Sequence, residues 1–492
     1  GRMKRITKDS KIALVELPPT ETGGLSLNGR QDHKISHNVY SGFRLPARGL
    51  HLLHAILDRE GYKNIKLVIP HLYGKGSPNE RDVAILRESD IVMASSITAT
   101  SPQTRQLVDL LYEDDPEKLF LFGGFDPTFR PDFYLNGRHN GLIVRGEGEK
   151  TLVETLGRFC NGAQEVGDIP GLMFRDGDEI VTTDARKYLT ADELNDLPYP
   201  IYPEEIARMI RIGAIETSRG CPNSCEFCGI MQFYGERKYR AKSVEHIMGE
   251  LESMKDIGKA TFYSADNLLA MPKQVEILRR IAESGLQKPG IAQLTAVSSK
   301  TPGIIQALRD ANIEVLCMGV ESFNNESLAF LGKPYSAEQN KEGLGAYMKG
   351  GLNNHLMMMP GEDGDTPDSL RYEVEQAKKY GTTAQFFPPG PLPGTPLRER
   401  IESSGRLLRP TENERWELYN GHFVLSRPKN FSPLGLQEAI NQMHMDFYHE
   451  GKDLSGMSKS QQLIYRNVKK GVLKVLESNQ MKNHLEFLKS VS

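Results

Sequence analysis

Short apolar runs alternate with amphipathic stretches along roughly the first third of the chain. Strands that are buried on both faces read as continuous apolar runs, so this alternation is typical of parallel strands joined by helices. The pattern predicts strands at residues 11–17, 66–69, 91–95, 119–122 and 142–144. It also predicts a helix that ends near Gly61, with an apolar face formed by Leu50, Leu53, Ile56 and Leu57. We therefore expect a doubly wound, Rossmann-like sheet, which binds ligands at the carboxyl ends of its strands.

The pattern changes after this first region. Residues 161–209 predict a small β-hairpin and a proline-rich linker. Strand and helix signals then alternate again over residues 210–400, which predicts a partial or full parallel barrel. Residues 401–492 contain the single tryptophan, Trp416, and predict a mainly helical extension. The expected fold class is thus α/β, with a sheet domain at residues 10–160, the linker, the barrel and the extension.

Composition narrows the range of functions. The 492 residues are 38% apolar and 25% charged, which fits two or three compact units. A formal net charge of −3 argues against a nucleic-acid partner or an anionic membrane surface. No run of 18 or more apolar residues is present to span a membrane, and the first residues lack the apolar core of a signal peptide. Five cysteines, an odd number, predict a reducing compartment, the cytoplasm, rather than a disulfide framework.

Three of the five cysteines lie together, as Cys221, Cys225 and Cys228 in a CxxxCxxC pattern. Thiolates are the usual ligands of iron–sulfur clusters, and three of them hold three irons of a cubane while the fourth iron stays open. An open iron can bind a substrate or a cofactor. Zinc is the alternative, but no histidine follows at zinc-finger spacing, and a structural zinc site requires a fourth ligand.

The residues around these cysteines extend the motif. A predicted strand and glycine turn, residues 216–220, precede the loop, and the aromatic Phe227 lies between the second and third cysteines. This segment resembles the cluster loop of the radical S-adenosylmethionine (SAM) superfamily. The resemblance implies a [4Fe–4S] cluster whose open iron chelates SAM, contact of Phe227 with the adenine, and one-electron cleavage of SAM to methionine and a 5′-deoxyadenosyl radical. The cofactors would then carry the difficult bond chemistry.

Loops rich in small or hydroxyl-bearing residues follow the predicted strands of the first domain. Each loop alone is typical of a tight turn. Together they resemble the cobalamin-binding domain that is fused to many radical SAM enzymes. The resemblance implies that cobalamin contacts these loops at Ser95, Ser96, Thr98, Gly123, Gly124, Gly146 and Glu147. The Asp-x-His-x-x-Gly motif of other cobalamin proteins is absent; His71 matches only its second half, after the wrong strand, and we interpret it as a loop residue.

The predicted barrel strands end in residues that resemble SAM contacts of the same superfamily. The resemblance implies SAM-binding roles for Asp266 after one strand, for Gln293 and Ser298 in a predicted strand at residues 291–298, and for Glu321 after the next. Cys317 lies within an apolar run and is predicted to be a core residue. Residues 386–396 match the proline-glycine-threonine turn of cobalamin-dependent relatives, where proline and glycine fix the geometry of the loop.

These features predict a cobalamin-dependent radical SAM C-methyltransferase that acts at an unactivated carbon. The resembled subgroup contains class B methylases and anaerobic Mg-protoporphyrin ester cyclases, so a radical cyclase, oxidase or rearrangement enzyme is the alternative. A non-catalytic metal or cobalamin carrier would leave the series of strand-end residues unexplained. The expected partners are a small-molecule or natural-product substrate and a one-electron reductant such as flavodoxin or ferredoxin. General acid and base residues are not identified by the sequence.

Overall fold

The computed structural model describes residues 2–137, 139–234, 239–264, 268–409 and 413–492. It divides into two compact units. The first comprises Gly1–Ser36 and Ala47–Met209, and the second comprises His37–Pro46 and Ile210–Ser492. The short segment His37–Pro46 therefore belongs to the second unit, although it lies within the first predicted domain in sequence.

The first unit is built on one sheet with the strand order β2-β1-β3-β4-β5-β6-β7. The first five strands along the chain are parallel, and the hairpin β6–β7 extends the sheet in antiparallel fashion. The order reverses at β1, as in a doubly wound fold, so the predicted fold class is confirmed. The strands are β1 (Lys11–Glu16), β2 (Asn64–Val68), β3 (Ile91–Ser95), β4 (Leu119–Gly123), β5 (Asn140–Val144), β6 (Leu172–Asp176) and β7 (Glu179–Thr182).

Helices cover this sheet. They are α1 (Arg48–Arg59), α2 (Glu80–Glu88), α3 (Ser101–Asp114), α4 (Phe125–Phe129), α5 (Pro131–Tyr134), α6 (Glu149–Cys160), α7 (Ala191–Asn195) and α8 (Glu204–Ala207). The predicted helix α1 is present, and Gly61 follows it with a φ of 89°. Its apolar face is rotated slightly from the prediction, because Leu52 is buried while Leu53 is only partly buried. Helix faces and strands share a core that includes Val15, Val92 and Phe120.

The second unit contains a parallel sheet in which the described strands follow the order β15-β14-β13-β12-β11-β8. Neighbours in space are neighbours in the chain, which is the arrangement of a partial βα barrel. A two-stranded antiparallel ribbon, β9 with β10, stands apart from it. The strands are β8 (Ile212–Ile215), β9 (Ser218–Arg219), β10 (Arg240–Ala241), β11 (Ala260–Tyr263), β12 (Gly290–Leu294), β13 (Ile313–Glu321), β14 (Asn353–Met358) and β15 (Thr383–Phe386).

The helices of this unit include the barrel helices and three long C-terminal ones. They are α9 (Gly229–Tyr234), α10 (Val244–Ser253), α11 (Gln274–Ser284), α12 (Ile304–Asp310), α13 (Asn325–Phe330), α14 (Ala337–Lys349), α15 (Pro367–Tyr380), α16 (Pro396–Ser403), α17 (Pro433–His449), α18 (Lys459–Leu476) and α19 (Asn479–Val491). The predicted helical character of the C-terminal extension is confirmed.

Helix α17 covers the edge of the barrel sheet at β15. The hydroxyl of Tyr448 accepts a hydrogen bond from the Ala384 N–H at 2.9 Å and donates one to the Ala384 carbonyl at 2.7 Å. Nε2 of His444 accepts from the Phe386 N–H at 3.0 Å. An edge strand presents backbone groups without ladder partners, and these two side chains supply the partners. The C-terminal extension thus supplies hydrogen-bond partners to the Ala384 and Phe386 backbone at this edge of the barrel sheet.

Segment His37–Pro46 is fitted closely into the second unit. The His37 carbonyl accepts from Nδ2 of Asn420 at 3.1 Å. A Cβ atom at Gly471 of α18 would lie 2.8 Å from the Asn38 carbonyl oxygen, so only glycine permits this approach. Arg44 takes a left-handed φ of 47°, which costs energy for a residue other than glycine. These contacts indicate that segment His37–Pro46 is an integral part of the second unit and not only a linker.

Candidate active site

The three clustered cysteines lie on the loop between β9 and α9. Glu216, just before β9, pairs with Arg219 at 2.9 Å and with Lys242 at 3.0 Å, and all three side chains are largely buried. Arg219 ends β9 and Lys242 follows β10, so these ion pairs fix the base of the ribbon from which the loop projects. A buried carboxylate with two cationic partners holds its geometry well, because breaking either pair would leave a charge uncompensated.

The thiols of the loop are partly buried and interact electrostatically with one another. Burial raises the pKa of the Cys228 thiol to about 11. Burial also raises the pKa of Cys221 and Cys225, and the nearby Lys333 ammonium offsets part of that shift. Metal ligands must be thiolates, so binding of iron would displace protons from these groups.

Lys333 forms a buried ion pair with Glu321, 3.5 Å from Nζ to Oε1. Both side chains are 9% exposed. Although burial lowers the pKa of Lys333, Glu321 and Cys225 raise it by more, so the ammonium is retained. Glu321 ends β13 with a left-handed φ of 65°, a strained conformation that aims its side chain toward the lysine. The pair places a cation beside the cysteine loop at the carboxyl end of the barrel.

The turn that carries Lys333 also contacts the cysteine loop directly. The Glu226 N–H donates to the Leu331 carbonyl at 3.3 Å. Gly332, with a φ of 69°, packs against the loop, since an added Cβ would be in van der Waals contact with the Ser224 carbonyl oxygen at 3.4 Å. This turn after α13 is therefore part of the wall that supports the loop.

A polar row crosses the interior of the barrel sheet below these residues. Gln293 of β12, Cys317 of β13, His355 of β14 and Thr383 of β15 share one register and therefore one face. Nδ1 of His355 lies 2.8 Å from the Thr383 hydroxyl, and burial lowers the His355 pKa to about 4, so the ring is neutral at pH 7.

Tyr40 of segment His37–Pro46 completes this row. Its hydroxyl lies 3.1 Å from Nε2 of His355 and donates to the Gln385 side-chain oxygen. The second unit therefore takes one of its interior polar groups from the N-terminal half of the chain. No pattern in the sequence around Tyr40 indicates this placement.

The other barrel residues predicted to bind SAM are placed as follows. Phe227 is partly buried on the cysteine loop, and Gln293 is half-buried in β12. The prediction that a strand runs to Ser298 is wrong, because β12 ends at Leu294 and Ser298 lies in a 3-10 turn, 2.6 Å from the Tyr347 hydroxyl. The turn is closed locally, because the Ser298 N–H and the Ser298 hydroxyl both donate to the Thr295 carbonyl. Asp266 lies outside the described residues.

At the carboxyl edge of the first sheet, the hydroxyl residues form a buried network. The Ser96 hydroxyl lies 2.8 Å from the Tyr134 hydroxyl, and Thr98 donates to Asp126 at 2.8 Å. Asp126 also accepts from Tyr134 at 2.5 Å and pairs with Arg130. Ser96 and Thr98 thus shape the loop after β3 from within. Ser95, at the end of β3, is half-buried.

The predicted glycines lie at the neighbouring strand ends. An added Cβ at Gly123 would meet no atom within 4 Å, so there is open space at the end of β4. Gly124 has a φ of 103°, and an added Cβ would lie 2.9 Å from the Ser96 carbonyl oxygen. Gly146 has a φ of 70°, and Glu147 accepts from the Leu189 N–H at 2.7 Å. Ile97 is 53% exposed beside them, which leaves an apolar group at this polar edge.

Comparison with known proteins identifies both halves. Residues 215–374 match the Radical SAM superfamily, and residues 38–156 match the B12 binding domain. The chain belongs to the radical SAM superfamily. It is a radical SAM enzyme that carries a cobalamin-binding domain, and its cofactors are a [4Fe–4S] cluster, SAM and cobalamin.

Several curated proteins resemble this radical SAM enzyme over most of its length. An uncharacterized methyltransferase of Pyrococcus horikoshii is 24% identical over 79% of this chain and 85% of its own. An anaerobic magnesium-protoporphyrin IX monomethyl ester cyclase of Cereibacter sphaeroides is 24% identical over 73% of this chain and 60% of its own. A hopanoid C-3 methylase of Methylococcus capsulatus is 25% identical over 91% of this chain and 83% of its own.

A solved structure supports the fold of this radical SAM enzyme. The cobalamin-dependent SAM radical enzyme OxsB with aqua-cobalamin and SAM bound superimposes with a TM-score of 0.70, at 17% identity, over 98% of this chain and 75% of its own. At this identity the likeness shows the fold alone. No helix in the described part of the chain has both the length and the apolar character that a membrane span requires.

The cysteine loop fits the cluster. Its three thiols interact with one another and have a cation beside them. In the described residues, no group of three Cys, His, Asp or Glu side chains is close enough together to hold a single metal ion. The thiolates of a cubane each bind a different iron, so a cluster does not require that arrangement. The open strand end at Gly123 and the exposed Ile97 likewise fit a large, partly apolar ligand such as cobalamin.

Sequence reasoning missed Lys333 as well as Tyr40. Lys333 follows a short helix at a distance from every motif, and its role depends on the turn that returns it to the cysteine loop. A glycine directly before it, Gly332, is a local sign of a turn, because its φ of 69° lies in the left-handed region that favours glycine.

Proposed function

We propose that this radical SAM enzyme is a cobalamin-dependent C-methyltransferase that acts at an unactivated carbon. The observation that carries the proposal is the presence of a radical SAM module and a B12-binding module in one chain, each built on a mainly parallel sheet. Relatives described as methyltransferases and methylases that match most of the chain support it. When bound, the cluster supplies one electron for SAM cleavage, and cobalamin supplies the methyl group.

The residues of the barrel would bind and orient SAM. Cys221, Cys225 and Cys228 would hold the cluster, and Phe227, Asp266, Gln293, Ser298 and Glu321 remain the proposed SAM contacts. Lys333 adds a cation 3.5 Å from Glu321, which suits an anionic group of the cofactor. The polar interior row with His355 is neutral at pH 7 and would accept an uncharged polar part of the substrate without a large desolvation cost.

The residues of the first sheet would bind cobalamin. Gly123 leaves open space at its strand end, and Gly124 and Gly146 are half-buried. Ser95 ends the neighbouring strand β3, and Glu147 follows Gly146. Ser96 and Thr98 would hold the loop in place rather than contact cobalamin with their hydroxyls, since those hydroxyls bond to Tyr134 and Asp126. His71 lies in a turn after β2, and its Nε2 atom is 3.9 Å from the Glu16 carboxylate.

We infer that the enzyme takes a small-molecule or natural-product substrate and an external one-electron reductant. Flavodoxin or ferredoxin fits that role. The use of cysteine supports a reducing compartment such as the cytoplasm, because the five cysteines are an odd number and three of them are clustered as the proposed cluster ligands.

The proposal is tested by anaerobic reconstitution with iron, sulfide and cobalamin, followed by metal analysis and an absorption spectrum of the same sample. The loaded enzyme is then incubated with reductant, methyl-deuterated SAM and fractionated small-molecule extract. We expect about four irons and one cobalamin per chain, formation of 5′-deoxyadenosine, and a product that gains a deuterated methyl group.

Cys225→Ala should abolish deoxyadenosine formation, whereas Cys160→Ala, which alters a cysteine of the first unit, should not. Substrate-dependent deoxyadenosine without any methylated product would overturn methyl transfer and favour a cyclase or oxidase. Iron without cobalamin would mean that the first sheet has another role.

A further inference from the structure

The loop that carries the cysteines is held from a second side by helix α16. The Leu397 N–H donates to the Glu226 carbonyl at 3.0 Å, while the Glu226 N–H donates to Leu331 on the opposite side. Glu226 lies between Cys225 and Cys228, so its peptide groups are fixed in both directions within the ligand motif itself.

The proline-glycine-threonine turn before α16 explains why the Leu397 N–H is available to bond outside the helix. Thr395 caps α16, and its hydroxyl accepts from the Arg398 N–H at 3.2 Å. Pro396, the first helical residue, has no N–H. Of the first helical positions, Leu397 is therefore the one whose N–H needs a partner outside the helix. The Glu226 carbonyl is that partner.

Arg400, one turn further along α16, adds a second contact. Its guanidinium lies 3.5 Å from the Glu226 carboxylate and 3.8 Å from that of Glu362. Glu362 follows β14, its side chain is 3% exposed, and its Oε1 atom lacks a hydrogen-bond partner in the described structure. Arg400 thus joins the cysteine loop to a buried carboxylate on the barrel.

Arg398 fixes the helix from the other side. Its guanidinium donates to the Pro391 carbonyl at 3.1 Å and pairs with Glu414 at 2.6 Å, and the side chain is 8% exposed. Helix α16 is thus anchored in the C-terminal extension, and the cysteine loop rests on an anchored element.

We propose that α16 is a clasp for the cluster loop and that Arg400 is its positioning residue. The clasp holds the Glu226 peptide so that the three thiolates keep the spacing that a cubane requires. Arg400 acts through its ion pairs with Glu226 and Glu362 and not by contact with the cluster or SAM. The inference rests on the proposed cluster but not on methyl transfer.

The test compares Arg400→Met, which keeps the apolar stem, with Arg371→Met, an exposed arginine of α15 that pairs only with its neighbour Asp368 among the described residues. The readouts are the rate at which a chelator removes iron from the reconstituted enzyme and the KM for SAM in cleavage without substrate. We expect Arg400→Met to speed iron loss roughly three- to fivefold, the scale of a partly exposed ion pair. Arg371→Met should behave as the parent enzyme.

Two further variants separate the clasp from a general loss of stability. Glu226→Gln combined with Arg400→Met should lose iron no faster than Arg400→Met alone, because both changes remove one contact. The melting temperature of the metal-free Arg400→Met protein should match that of Arg371→Met.

Equal iron loss in Arg400→Met and Arg371→Met would overturn the clasp. So would additive effects of the two changes, or faster iron loss that only follows a lower melting temperature. A parent protein that binds iron but transfers no methyl group contradicts the proposed function alone. A parent that takes up no iron contradicts both.

Discussion

At the scale of single residues, the pair of Lys333 and Glu321 places a buried cation and a buried carboxylate beside the cluster loop. Two opposite charges at 9% exposure stabilise each other only while both are present. The pair also shows how a strained residue can serve a site, since Glu321 holds a left-handed φ of 65° at its strand end. Removal of one partner should therefore lower the free energy of unfolding by more than removal of an exposed charge would.

We predict that Lys333→Met lowers the free energy of unfolding of the metal-free protein by about 3 kcal/mol, because Glu321 is left buried without its cation. Denaturant titration followed by circular dichroism measures this. Lys349→Met, an exposed change on α14, should shift the midpoint little. Addition of Glu321→Gln to Lys333→Met should recover part of the loss; no recovery would argue against the ion pair as the cause.

The cysteine thiols make a second prediction at this scale. Burial raises the pKa of Cys228 to about 11, above its usual range, so this thiol is protonated at pH 7 and must release its proton to bind iron. Iron affinity should therefore increase as the pH rises from 7 toward 9, measured by competition with a chelator whose own pH dependence is known. An affinity that is constant over this range would mean that the thiolates are already formed.

At the scale of elements, the strands of both sheets were predictable where apolar runs are continuous. The predicted strand at residues 91–95 matches β3, and 119–122 falls within β4. The predicted strand at residues 216–220 contains the two-residue strand β9. Its partner β10 was not predictable, because it exists only through pairing across the cysteine loop. The error at Ser298 arises because this residue bonds to the Thr295 carbonyl within a 3-10 turn and to Tyr347 of α14, which the apolar pattern does not show.

The candidate site divides in the same way. The three cysteines were predictable because their spacing is local in sequence. Lys333, Arg400 and Tyr40 were not, since each reaches the site through a turn or helix whose position depends on packing. A motif can show which residues hold a cofactor, but not which residues hold the motif.

The contact between helix α17 and strand β15 at the edge of the barrel sheet can be tested by mutation. Tyr448→Phe removes the hydroxyl that bonds both backbone groups of Ala384. We expect a loss of about 1–3 kcal/mol in unfolding free energy, the cost of buried backbone groups without partners. Hydrogen exchange should show faster exchange of the Ala384 amide. Tyr372→Phe, an exposed tyrosine of α15, is the control and should leave that amide unchanged.

At the scale of the whole molecule, buried histidines should shape the response to acid. Burial lowers the pKa of His444 to about 3 and of His355 to about 4. An unfolded histidine binds a proton near its ordinary pKa of about 6.5. Below that pH the unfolded state binds more protons than the folded state, so each such histidine lowers stability as the pH falls toward 4.

Buried carboxyl groups act in the opposite direction. Burial raises the pKa of Glu362 and Glu373 to about 7, so they favour the folded state as the pH falls. The informative quantity is therefore a difference between variants. Between pH 6.5 and 4, the unfolding free energy of His444→Gln should fall less steeply with pH than that of the parent, by on the order of 1 kcal/mol per pH unit. The exposed change His449→Gln should leave the slope as it is in the parent. Parallel curves for His444→Gln and the parent would contradict this.

The segment His37–Pro46 yields a prediction about fragments of the chain. A fragment of residues 210–492 lacks the Tyr40 hydroxyl that contacts His355 and the backbone that packs on Gly471. We expect it to be cleaved faster in limited proteolysis than the same region of the intact chain. A synthetic peptide of residues 37–46 should slow that cleavage, and the same peptide with Tyr40→Ala should do so less. Equal protection by both peptides would exclude a role for the tyrosine.

The same segment bears on how such enzymes can be recombined. The chain passes between its two units at residues 36–37, 46–47 and 209–210, so no single cut separates them cleanly. A gene fusion made at the last of these points would join a new cobalamin-binding half to a barrel that lacks its own interior tyrosine. The ten residues that complete the barrel would stay behind with the discarded half. In a successful chimaera of this protein, residues 37–46 should therefore come from the same parent as the barrel, and they should be inserted at the matching place in the sequence of the foreign domain.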